Sequence, residues 1–218
     1  MLLRTLTATL LLALATATAQ TLPELRTEPT TGGSIFYIKN VAAQPVTAFL
    51  IELVNYPGSY YSLWQDEAAS DLIAPGAEKR IPVSNMTVGA VPDYVKLQAA
   101  LFADGSTAGI PEKIAQMVER RRYTLGTVRE LISRLEKAKA ASAPKAALIA
   151  EWKQWGDSLQ PAARANRTAQ TTINQTAARG IIADAVNWLD SHSPDETLAR
   201  LRAAERSLAG ARASEGKE

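Results

Sequence analysis

Hydrophobic periodicity changes once along this chain, after Gly109, and that switch constrains the fold more than any other feature. Ahead of it, apolar side chains recur at every second residue in short runs bounded by Gly, Pro, Asn and Asp. Behind it, they recur at spacings of three and four over long stretches. The first pattern belongs to strands and the second to helices. The expected fold class is α+β: an N-terminal antiparallel β-sandwich followed by a C-terminal helical region.

The β part is expected over residues 33–106. Ser34 to Lys39 alternates, with Phe36 and Ile38 on one face and Tyr37 and Lys39 on the other. Val46 to Val54 is apolar on both faces, Val46, Ala48 and Leu50 against Phe49, Ile51 and Leu53, which predicts a central strand packed on each side. Lys79 to Val83 contains Pro82 and is placed at a sheet edge. Tyr94 to Ala103 puts Val95, Leu97, Ala99 and Leu101 on one side and ends in the Asp104-Gly105 turn. Short strands with turn signals between them suit a small sandwich.

The helical part is expected over 109–212. Pro111 opens a helix to about Ala140, with Ile114, Val118, Leu125, Val128, Ile132 and Leu135 in register and Arg121 filling one apolar slot. A second follows Pro144 and carries Leu148, Trp152, Trp155 and Leu159, where the tryptophans read as core. Pro161 is read as opening a third, whose first half offers only Ile173 as a large apolar anchor. Ser193-Pro194-Asp195-Glu196 is a helix start: Ser at N-cap, Pro at N1, Glu at N3.

Composition works mainly by exclusion. The 218 residues include no Cys and one His, His192, which removes disulfides, thiolate nucleophiles and most His-dependent metal or triad chemistry. No cofactor and no metal site are expected. Residues 20–106 hold 5 Lys+Arg against 9 Asp+Glu, and residues 107–218 hold 18 against 13. That excess is too thin and too interleaved for a nucleic-acid footprint. Residues 1–19 read as a signal peptide: Arg4 at a positive start, a short apolar run at Leu10 to Leu14, and Ala17-Thr18-Ala19 as the small-x-small site. The expected location is periplasmic or secreted, with no membrane span after cleavage. Residues 20–32 read as a flexible leader and 213–218 as a disordered tail.

FYIKNVAAQPVTAFLIEL, then LIAPG and an edge strand, then YVKLQAALFADGS, resembles the Ig-like or fibronectin-III-like sandwiches of exported bacterial proteins. The resemblance covers residues 34–106. It implies a binding or spacing module and brings no catalytic residues with it.

Two surface candidates remain. Tyr60, Tyr61 and Trp64, close to Tyr56, form an aromatic stretch that suits protein or sugar contact, although Tyr61 and Trp64 also read as the core of a hairpin, and a sandwich needs a large buried ring such as Trp64. Arg120, Arg121 and Arg122 form the strongest basic run, either a grip for a phosphate, an anionic lipid surface or an acidic partner, or a solvated helix face, with Arg121 in register to point at the sheet. Carboxylates are scattered, Asp66 with Glu67 and Glu151 with Asp157. The expected function is a non-enzymatic exported binding or scaffold protein with an envelope or extracellular protein partner. The alternatives are a carbohydrate-binding module built on the aromatic stretch, with a glycan as partner, and an envelope hydrolase using two carboxylates.

Overall fold

A computed structural model describes residues 20–54, 61–66, 72–84, 94–162 and 165–210. The expected signal peptide and disordered tail lie outside the described residues. The fold is mixed α+β with antiparallel sheets. Strands β1 (Glu24–Thr30), β2 (Gly33–Lys39), β3 (Val46–Leu53), β4 (Ser62–Asp66), β5 (Glu78–Ser84), β6 (Val95–Phe102) and β7 (Thr107–Gly109) precede helices α1 (Pro111–Ala140), α2 (Lys145–Ser158), α3 (Gln170–Ser191) and α4 (Pro194–Gly210). One sheet has the order β1-β2-β5 and the other β4-β3-β6-β7. Among the described residues, no helix is long and apolar enough to cross a membrane.

A shared core joins the two sheets: Phe36 and Ile38 from β2 meet Val46, Phe49 and Ile51 from β3 and Ala100 and Phe102 from β6. On the far side of β3 and β6, Ala48, Leu50, Ala99 and Leu101 pack with Met117, Ile114 and Val118 of α1. Strand β3 is thus central and covered on both faces. Strand β5 is an edge, where Pro82 forfeits no ladder bond that the sheet needs. Helix α1 has 30 residues, about 45 Å of rise, so it outruns the sheet. Its second half supplies Val128, Leu131, Ile132 and Leu135 to a separate core with Leu148 and Trp152 of α2, Ile182, Val186 and Leu189 of α3, and Leu198 and Leu201 of α4.

Three expectations need correction. The leader expected at 20–32 contains β1, which pairs with β2 from Glu24↔Lys39 to Thr30↔Gly33. Its polarity comes from being an edge strand with one face to cover: Leu22 and Leu25 pack on the core, while the Arg26 guanidinium lies 3.7 Å from the Tyr37 ring centroid. The faces of β3 and β6 are also phased differently. Register shifts between Val46 and Ala48 and between Leu50 and Ile51 leave Thr47 and Gln98 without cross-strand partners. Val46 therefore joins Phe49 on the inter-sheet face, and Val95 and Leu97 part from Ala99 and Leu101. The third helix begins at Gln170 rather than Pro161. Asn166 turns its side chain back onto the Thr168 amide and hydroxyl at 3.0 and 2.8 Å, which competes with helical bonding.

The start of α4 is as expected. Glu196 Oε2 accepts from the Ser193 amide at 2.9 Å and from the Ser193 hydroxyl at 2.7 Å, while the Glu196 amide donates to Ser193 Oγ at 3.2 Å. The Ser193 backbone bond and then its hydroxyl hold the Glu196 carboxyl below its ordinary value; desolvation opposes them, and the nearby His192 adds the least. A carboxyl depressed on folding adds stability that is complete above its unfolded pKa and is lost as pH falls through the folded one. Wild type should therefore melt above Glu196→Ala near neutral pH, with the gap closing on acidification. Thermal melts across an acid series check this, and a gap that persists once the carboxyl is protonated would contradict it.

Candidate functional site

Helix geometry sets consecutive residues about 100° apart, so three successive arginines cannot share a fate. Arg121 turns onto the sheet and is 5% exposed. Its Nε and Nη2 each donate to the Asp66 carboxylate at 2.8 Å, and Nη2 also reaches Thr47 Oγ1 at 3.1 Å. Thr47 in turn donates to the Leu101 carbonyl at 3.1 Å. The β3 bulge aims that hydroxyl at α1, and Asp66 ends β4, so one guanidinium ties helix to two strands. Arg122 points outward and pairs with Glu119 at 3.3 Å. Arg120 takes the intermediate direction, half-buried, 5.7 Å from the Trp64 ring centroid. Burial lowers its pKa, Asp66 raises it and the neighbouring Arg121 lowers it again; the guanidinium remains a cation throughout.

Arg120 and Trp64 form one wall of a groove of about 670 Å³ between β4 and α3. The opposite wall and floor come from Ile173, Ala177, Gly180 and Arg179 of α3, with Arg167 from the segment ahead of it. Among the described residues, none of Arg120, Arg167 and Arg179 forms an ion pair, and Asp184 is the only carboxylate in the lining. Trp64 serves two purposes. It packs beside the α1–sheet seam and donates Nε1–H to Ser62 Oγ at 3.2 Å, while its ring edges the groove.

The other expected site residues divide. Tyr61 packs edge-on against Phe36, ring centroids 6.0 Å apart, with its hydroxyl buried and its pKa pushed up to about 12 by desolvation. It belongs to the core rather than to a displayed aromatic platform. Tyr56 and Tyr60 lie outside the described residues, as does Glu67. Trp152 is fully buried, and Trp155 lies under the Arg134 guanidinium at 4.5 Å. Glu151 is held by Arg134 at 2.6 Å on the surface. His192 stacks on Trp188 at 3.6 Å. No group of three His, Cys, Asp or Glu among the described residues is placed to hold a metal.

Arg167 and Arg179 were not singled out from the sequence because each is isolated among small and polar neighbours. A usable signal existed. Thr172, Thr176, Gly180 and Asp184 repeat every four residues without one large side chain, a stripe too shallow to fill the space beside β4. Comparison with known proteins adds nothing to this geometry: no family model, no curated protein and no solved structure matches the chain.

Removing one partner of the buried pair strands the other charge. Arg121→Met and Asp66→Leu should each cost about 3–5 kcal/mol of unfolding free energy, whereas the double variant should recover most of that loss. Urea titrations of the three variants measure it. Additive losses in the double variant would mean that the two side chains do not act as a pair.

Proposed function

We propose that the chain is a non-enzymatic exported binding protein whose groove between β4 and α3 takes an acidic segment of an envelope or extracellular protein. The observation that carries this reading is the charge of the lining: among the described residues Arg120, Arg167 and Arg179 form no ion pair, they stand around one tryptophan edge, and a single aspartate shares the lining. Guanidinium groups suit carboxylates because their donors match them in pairs. Ser62, Gln160, Thr172 and Thr176 add neutral hydrogen-bonding groups along the walls, and Trp64 offers an apolar edge. Such a mixture fits a peptide better than a bare inorganic anion. In this reading the sheets are an Ig-like sandwich that holds Trp64 rigidly, and residues 1–19 direct export.

A fluorescein-labelled peptide alternating Glu and Gly is the test, followed by anisotropy at low and physiological salt. Arg120→Ala and Arg179→Ala should each weaken binding about tenfold, the loss of one charge-assisted contact. Salt should weaken the wild type more than either variant. No binding at low salt, or equal binding by the Arg120→Ala/Arg179→Ala double variant, would overturn the proposal. Capture of a neutral cell-wall glycan, lost in Trp64→Ala and untouched in the arginine variants, would favour the carbohydrate-binding alternative instead.

A further inference from the structure

Strand β4 ends its sheet. It pairs with β3 on one side, and among the described residues no strand lies on the other. One bond sets the direction of its main-chain groups. The Leu53 amide donates to the Tyr61 carbonyl at 3.1 Å, and the same register continues through Glu52↔Ser62, Leu50↔Trp64 and Ala48↔Asp66. Residues of an antiparallel pair alternate between those that bond the neighbour and those that face away from it. Tyr61, Leu63 and Gln65 therefore bond β3, and Trp64 turns its N–H and C=O away from it. Among the described residues, no hydrogen bond occupies those two groups.

That outward side is where the arginine groove lies. Helix α1 packs on β3, β6 and β7, yet none of those strands lines the groove; of this sheet only Ser62 and Trp64 of β4 do so. The far wall is the stripe of small residues on α3, Thr172, Thr176 and Gly180. A strand laid beside β4 sits about 4.8 Å from it, between the sheet edge and that wall.

Side chains follow the same alternation. Tyr61 and Leu63 project into the inter-sheet core, whereas Trp64 and Asp66 project toward α1, where Arg121 holds the aspartate. In an antiparallel addition, the residue opposite Trp64 exchanges both main-chain bonds with it and projects its side chain to the same face. On that face the Arg120 guanidinium stands 5.7 Å from the Trp64 ring centroid, with Arg167 and Arg179 in the same lining. Two requirements thus coincide at every second position of the added strand. These residues donate their N–H to β4, and they carry the side chains that the guanidinium groups meet.

We infer that the acidic segment binds by strand addition: it extends the four-stranded sheet antiparallel beside β4, with Asp or Glu at alternate residues facing the groove and the N–H of those same residues bonded to the β4 edge. Main-chain pairing of this kind supplies affinity, and the alternating side chains supply specificity. The inference rests on the acidic-segment reading above and adds to it the binding mode and the sequence pattern of the partner.

The alternating Glu and Gly peptide tests this in three forms: unmodified, N-methylated at every Glu, and N-methylated at every Gly. Anisotropy with the full-length protein at low salt should give similar Kd for the unmodified and Gly-methylated forms. The Glu-methylated form should bind about tenfold or more weakly, since its donors to β4 are gone. In isotope-labelled protein saturated with the unmodified peptide, the Trp64 amide should exchange its hydrogen about tenfold more slowly, while the Leu63 and Gln65 amides, already bonded to β3, change little. Equal binding of all three forms, loss on Gly rather than Glu methylation, or an unprotected Trp64 amide in the saturated complex would each overturn strand addition and leave the acidic-segment reading in place. Failure of the unmodified peptide to bind would overturn both.

Discussion

A buried guanidinium sets the rotation of the longest helix, and much of the molecule follows from it. Arg121 is withdrawn from water, so it needs acceptors, and the two oxygens of Asp66 with the hydroxyl of Thr47 take three of its N–H bonds. That requirement fixes which side of α1 faces the sheet. Once it is fixed, the 100° step sends Arg120 toward Trp64 and Arg122 into solvent, where Glu119 meets it. The same rotation presents Val128, Leu131 and Leu135 to the helical core, because those positions share the helix with no break between. One polar contact thus sets the phase for two apolar interfaces. Lys113 with Glu52, 2.8 Å apart near the start of α1, adds a second tie along the same seam.

What could be read from the sequence was what local chemistry decides. Pro111 at N1 and the reciprocal Ser193–Glu196 cap fix helix starts by bonds made within a few residues. The two-sided apolarity of Val46 to Leu53 required cover on both faces, and β3 has it. Arg121 was legible as an exception because a charge in an apolar register must find a buried partner. Its partner was not legible. Asp66 is 55 residues away, and only the sheet order brings it to the helix. The bulges at Thr47 and Gln98 were hidden for a related reason: a bulge is a property of two paired strands, and neither strand alone announces it. Strand β1 was missed because an edge strand with one buried face needs only Leu22 and Leu25, and such sparse apolar content resembles a linker.

The groove was the least legible feature, and its origin is a deficit rather than a motif. The C-terminal half of α3 is anchored by Ile182, Ala185, Val186 and Leu189 in the helical core. The N-terminal half relies on Ile173, Ala177 and Ala178, and a polar link in which Gln170 Nε2 reaches the Gln116 carbonyl at 3.3 Å and Asn174 Oδ1 at 2.9 Å. Helix α3 is therefore positioned from one side, by α1 and α2, and nothing on its other side needs to reach β4. Leu or Phe at Thr172, Thr176 and Gly180 would close that gap and give dispersion and burial that the small side chains forgo. A chain shaped only by stability would gain from such substitutions. Leaving Arg120, Arg167 and Arg179 around an unfilled space, at a cost in packing, is the arrangement that the proposed binding of an acidic segment would require.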